Sequence, residues 1–312
     1  VALAALVAAV GVREASRPAP APENPLAIAQ FTRFTDWEGT EGGADISPDG
    51  RFVAFLADPK GSFGLWQSQV GTGRFVNLTP DMKLYAPATL LRNFGFSGDG
   101  AEIWLSTSGN ATSPKMLMPL TGGPSRPFLG EGTTTPSWSP DGTRLAYITV
   151  FGDGRDSLSI ADGNGADARE IVPAREKMHN HNPVWSPDGQ WIYFTGGLDP
   201  NEAMDVWRVR PAGGPPERIS RKSAAVTFLA PLGSRTLLYV ARAEDGSGPW
   251  LWSLDVETGV ARRASVGLEQ YTSVAASHDG QRVVATVANP TASLWRVPLG
   301  DRVADERDAE PY

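Results

Sequence analysis

The chain contains no cysteine, so its stability owes nothing to disulfides and no thiolate is present to hold a metal. Histidine is nearly as scarce, at 3 in 312 residues, which leaves imidazole catalysis few places to reside. With 28 Lys and Arg against 35 Asp and Glu the net charge is -7, and no basic run stands out that would neutralise nucleic-acid phosphates. We therefore expect no nucleic acid to be bound. The G-x-S-x-G elbow, a Gly-rich phosphate loop and H-E-x-x-H are all missing, and with them the geometry that hydrolase, nucleotide and zincin chemistry require. No catalytic residue and no cofactor are expected in this chain.

The apolar content is 41%, with 34 Gly, 26 Pro and 10 Trp, a composition suited to many short strands joined by turns rather than to long helices. Residues 1–12 (VALAALVAAVGV) are uniformly apolar and stop at Arg13 and Glu14. Twelve residues fall short of the roughly 20 that span a bilayer, so the run reads as the end of a transmembrane helix or signal segment; a buried core helix is the alternative. Residues 13–26, which include SRPAPAPENP, read as an extended Pro/Ala linker.

One pattern then recurs: an apolar or aromatic residue, S-x-D-G, and a strand. The copies end in Asp49-Gly50, Asp99-Gly100, Asp141-Gly142, Asp188-Gly189 and Asp279-Gly280, and a degenerate one sits at Pro231-Leu232-Gly233. The first four aspartates follow one another at 50, 42 and 47 residues, the period of one propeller blade. In such a turn Asp bonds its own backbone and Gly accepts a positive φ, so these aspartates are read as structural rather than as a ring of cation ligands. A second strand follows each turn (52–56, 103–105, 145–148, 191–194, 237–240, 283–287), then a loop and a third strand, then a Gly-rich turn and a fourth. The expectation is an all-β, six-bladed propeller of four-stranded antiparallel blades over residues 27–300. Residues 301–312 (DRVADERDAEPY) are charged and lack apolar alternation. Residues 27–35 (AIAQFTRFT) read as an isolated fourth strand, expected to complete the last blade and close the ring; the rival expectation is that further blades lie beyond the sequence.

These motifs, W-S-P-D-G at Trp138 to Gly142 and Trp185 to Gly189 above all, resemble the TolB-like, WD-repeat-like propellers. Some bacterial membrane proteins place such a propeller after a Ser/Thr kinase or winged-helix domain and one transmembrane helix. The resemblance implies a non-catalytic sensing or interaction propeller, periplasmic or extracytoplasmic and anchored to the inner membrane through its N-terminal segment alone. A free TolB-like scaffold, or the substrate-gating propeller of a prolyl-oligopeptidase-like hydrolase, are the alternatives.

The expected partner is a protein, peptide or glycan on the face that carries the loops between second and third strands. Candidate binding residues are His179, Asn180, His181 and Asn182, placed just before the innermost strand of blade 4. Two imidazoles two residues apart point the same way on an extended strand, but no carboxylate ligand stands near them in sequence, so hydrogen bonding to neighbouring blades is preferred over a metal. Eight tryptophans recur in blade register and read as packing; Trp37 and Trp250 fall outside it or at its edge and are further candidates for surface recognition.

Overall fold

Each S-x-D-G turn is closed by the same small set of bonds. The serine hydroxyl donates to the aspartate at 2.6 Å for Ser47–Asp49, Ser97–Asp99, Ser186–Asp188 and Ser277–Asp279, and at 2.5 Å for Ser139–Asp141. The carboxylate accepts the amide two residues on, and the serine oxygen accepts the amide five residues on, as Trp191 N donates to Ser186 Oγ at 2.9 Å. The turn glycines have φ between 66° and 70°, a region that a side chain at that position would strain. This local chemistry launches a strand at a fixed angle after every turn, and the strands stack into blades.

The computed structural model describes residues 24–37, 39–59, 61–82, 84, 91–106, 112–151, 153, 155–200, 203–221, 225–288, 295–296 and 310–311. Blade 1 comprises β1 (Glu41–Ile46), β2 (Phe52–Ala57), β3 (Gly64–Gln69) and β4 (Phe75–Asn77). Blade 2 comprises β5 (Phe94–Phe96), β6 (Glu102–Ser106), β7 (Lys115–Pro119) and β8 (Arg126–Pro127), and blade 3 β9 (Thr133–Trp138), β10 (Arg144–Val150), β11 (Asp156–Asp162) and β12 (Arg169–Val172). Blade 4 holds β13 (His179–Trp185), β14 (Ile192–Asp199), β15 (Ala203–Val209) and β16 (Glu217–Arg218), and blade 5 β17 (Thr227–Leu232), β18 (Thr236–Ala241), β19 (Trp250–Asp255) and β20 (Ala261–Arg263). All five are antiparallel meanders in chain order.

Among the described residues there are therefore five four-stranded blades, not the expected six. The sixth unit supplies a two-stranded sheet, β21 (Gln270–Ala276) with β22 (Val283–Ala288). It still holds a place in the ring, because β21 lies against both β17 and β1. The amide of His278 donates to Pro48 O at 3.0 Å and Arg282 Nη1 to Gly50 O at 2.7 Å, so its turn docks on the first turn of blade 1.

Two details of the expected closure change. Residues 27–35 form no strand: Asn24 to Ala29 make turns (Ala27 N to Asn24 O, 3.0 Å), and Ile28 and Phe31 are 95% and 73% exposed. The alternation in that stretch is not used; its half-buried anchors are Leu26, just before it, and Phe34 and Trp37, at and beyond its end. Leu26 packs into the core between blade 5 and the sixth unit, and Phe34 and Trp37 into the core between the sixth unit and blade 1. The segment is a strap across the seam, pinned at its start by Asn24 Nδ2 donating to Ala264 O at 3.0 Å. The charged tail, in turn, contains β24 (Glu310–Pro311), paired with β23 (Trp295–Arg296). The apolar run 1–12 and most of the linker lie outside the described residues.

The core sits between blades. Leu65, Leu158, Val206 and Leu251 occupy one register position of the third strand and are almost fully buried. In blade 2 that position is Lys115, 1% exposed, whose ammonium donates to Ser113 O at 2.5 Å and Thr133 O at 2.7 Å. Burial lowers its pKa to about 8.

Candidate functional site

The first strand of every unit lines the central channel, and the turn end of that channel forms a cavity of about 150 Å³ bounded by Pro48, Gly98, Pro140, Pro187, Pro231 and His278 among others. One charged pair is built into it. Arg92, just before β5, donates from Nη1 to Ala44 O at 3.2 Å and from Nη2 to Val274 O, lies 3.6 Å from Asp45 Oδ1, and stacks over Phe228 at 5.5 Å. A single guanidinium thus touches blade 1, blade 5 and the sixth unit. Asp45 Oδ2 accepts the Phe96 amide at 3.0 Å, which brings in blade 2. Burial raises the Asp45 pKa against the pull of Arg92, and lowers those of Arg92 and His278.

Sequence reasoning missed this pair, although a signal was present. Two residues before each motif serine stand Gly95, Ser137, Val184 and Ala275, and only blade 1 has a charge there, Asp45. A lone carboxylate at an otherwise small or apolar register position asks for a partner.

At the opposite end of the channel, where second strands pass to third strands, lies the histidine cluster. His179, Asn180, His181 and Asn182 are within β13 rather than ahead of it, and they form its first four residues. The strand then bulges between His181 and Val184, with Asn182 at φ 50°. Hydrogen bonds link the cluster to the neighbouring blade. His179 Nδ1 lies 3.0 Å from Asp156 Oδ2, and Asn180 Nδ2 donates to Asp156 O at 2.9 Å. His181 Nε2 lies 3.6 Å from the same carboxylate oxygen. Asp156 opens β11 of blade 3 and is 2% exposed; it was not a candidate, because it precedes the histidines by more than twenty residues and reaches them only by blade stacking. Asn182 instead lines the channel cavity.

Beside the cluster opens a groove of about 590 Å³ lined by Asp153, Arg155, Glu176, Lys177 and His179. Arg155 Nε pairs with Asp153 at 2.8 Å. On the same two blades Phe151 and Leu198 are exposed, at 37% and 66%. In blade 4 the pairing of β14 with β15 extends out to Asp199 opposite Ala203.

The two tryptophans expected at the surface are in packing positions. Trp37 lies against Trp66, Phe75 and Phe55 at centroid distances of 4.8, 4.9 and 5.4 Å. Trp250 is 7% exposed, with Arg263 stacked 3.8 Å over its ring. The turn aspartates do as expected: serine hydroxyls and backbone amides hold them ionised, and Asp141 is lowered to about 2.

No family model matches the chain. An uncharacterized protein of Agrobacterium fabrum is 34% identical over 141 residues, 43% of this chain and 45% of that protein. Dipeptidyl-peptidase 5 of Porphyromonas endodontalis is 30% identical over 139 residues, 41% of this chain and 19% of the peptidase. The matched region thus spans less than half the length of these relatives. A solved structure assigned as TolB, from Agrobacterium tumefaciens, superposes with a TM-score of 0.63 at 23% identity, covering 83% of this chain and 93% of its own. Five meandering blades on repeated S-x-D-G turns, together with this superposition, give the chain a β-propeller fold like that of TolB.

Proposed function

We propose that the chain is a non-catalytic, extracytoplasmic binding propeller that takes a protein, peptide or glycan partner on its loop face. The observation that carries this reading is the contrast between the two ends of the channel. The turn-end cavity, at about 150 Å³, is smaller than the roughly 300–1,000 Å³ of ordinary ligand sites, and Arg92 and Asp45 fill it with a structural pair. The loop-face groove, at about 590 Å³, lies in that range and carries charges of both signs, with exposed Phe151 bonded through its amide to the carbonyl of Arg155 on the groove wall. Apolar side chains rimmed by charge are the surface chemistry of recognition. The extracytoplasmic placement is supported by the likeness to TolB. In its fuller form, the propeller is the external half of an inner-membrane receptor with a kinase or winged-helix output domain.

The peptidase relative favours a second reading, in which the propeller gates substrate entry to a hydrolase domain on the same polypeptide. A photo-crosslinking amino acid placed at Arg155 or Lys177, and at Gln281 on the turn face as reference, tests the first reading in cells of the source organism. Adducts formed at 155 and 177 but not at 281 support it; equal labelling at all three sites, or labelling at 281 alone, defeats it. Adducts to a hydrolase domain of the same polypeptide would favour the second.

A further inference from the structure

Blades 3 and 4 meet at three side chains of one chemical kind. Asp156 Oδ2, His179 Nδ1 and His181 Nε2 lie within 4.8 Å of one another, with the carboxylate oxygen 3.0 Å from the first nitrogen and 3.6 Å from the second. We propose that Asp156, His179 and His181 form a binding site for a first-row divalent transition metal, of the zinc or manganese kind, that ties blade 3 to blade 4.

The donor set is two imidazoles and one carboxylate, which suits these ions and leaves coordination positions free. Metal–ligand bonds of about 2.0–2.2 Å put neighbouring donors of a tetrahedral or octahedral sphere roughly 3.0–3.5 Å apart, close to the separations from the carboxylate to the two rings. The two ring nitrogens, within 4.8 Å of each other, complete the set once the rings turn toward the ion. Charge argues the same way. A buried carboxylate is costly without a compensating cation, and among the described residues the ionisable side chains in salt-bridge range of Asp156 are these two rings, with no lysine or arginine there. A divalent ion held between the carboxylate and the rings supplies that charge.

The surroundings hold the donors in place. The Asn180 bond fixes the Asp156 backbone to β13, and Thr195 Oγ1 donates to His181 O at 3.1 Å. Supporting bonds of this sort orient ligands and raise affinity. The open side faces the groove: the His179 side chain is 31% exposed, while those of His181 and Asp156 are at 13% and 3%. The free coordination positions therefore point toward the surface between Asp153 and Glu176.

The test uses the tag-free 312-residue chain, stripped with a chelator and titrated with zinc, manganese or cobalt(II) while heat, metal content and the cobalt absorption bands are followed. The third histidine, His278, lies in the turn-end cavity and serves as an internal control. One ion per chain is expected, with affinity reduced at least about 100-fold in the His179→Ala, His181→Ala double variant and unchanged in His278→Ala. Metal should also raise the Tm of the wild type and of His278→Ala but not of the double variant. Failure of the wild type to take up one equivalent of any of the three ions overturns the proposal. Uptake that survives the double variant, shown folded by its own melting transition, overturns it as well.

Discussion

The two faces of this propeller solve different problems with the same chain. On the turn face, five S-x-D-G copies repeat one set of bonds at 2.5 to 2.6 Å, and neighbouring turns dock on each other. On the loop face, among the described residues, the polar groups are singular: Asp156 with two imidazoles, Lys115 in a core position, and an open charged groove. Repetition spreads stability over many small equal contributions. Singularity concentrates chemistry in a few residues whose loss would not be copied elsewhere in the ring.

The contrast breaks most sharply at Arg92, which with Asp45 forms a singular charged pair at the turn end. Arg92→Met leaves Asp45 buried without its partner and should cost about 3–5 kcal/mol in urea unfolding; adding Asp45→Asn should recover part of that loss. If Arg92→Met unfolds like the wild type, the pair is not the clasp described. Next in size is the pH dependence at Lys115. Its folded pKa of about 8 lies below the unfolded value, so between them the unfolded chain binds the extra proton and stability rises with pH. The slope should approach about 1.4 kcal/mol per unit in alkaline solution at most, and flatten in Lys115→Met. A slope that persists in the variant assigns it to another group.

Smaller effects sharpen the turn face. Asp99→Ala removes bonds from Ser97 and Ala101 and should cost about 1 kcal/mol, with Asp188→Ala alike. The turn aspartates are lowered by hydrogen bonding, so their contribution is complete above the ordinary carboxylate value and lost as pH falls through the lowered ones. A Tm that drops between about pH 4 and pH 2, less steeply in Asp188→Asn, is the expected record. Smallest of all, Arg155→Glu and Lys177→Glu should leave stability within about 0.5 kcal/mol while reducing crosslinks at the groove. A loss of stability there would make the groove part of the scaffold.

What was legible in the sequence was the chemistry that acts over a few residues. Ser47 to Gly50 and its copies carry their own bonds, and the strand after each follows from alternation, so blade order and the structural role of the five aspartates could be read directly. Asp156 could not be found, because its link to His179 exists only once blade 3 stacks on blade 4. Trp37 and Trp250 were misplaced for the same reason: register says where a ring sits along a strand, not whether Phe75 or Arg263 covers it. Residues 27–35 alternate like a strand, yet Leu26 before them and Phe34 and Trp37 near their end make apolar contacts with the core, and burial of those outweighed pairing of what lies between. Asp45 and Lys115 were within reach through comparison of equivalent positions among the blades.

The strap bears on how this molecule carries load. Between its start at Asn24 and its aromatic end at Trp37 it bridges blade 5, the sixth unit and blade 1. Tension applied to the chain upstream of Asn24 arrives first at the seam, where the sheet has only two described strands. Peeling the strap would strip Leu26 and then Phe34 from the joint in order, so a ring that resists heat through many equal turns would yield to a directed pull at one place.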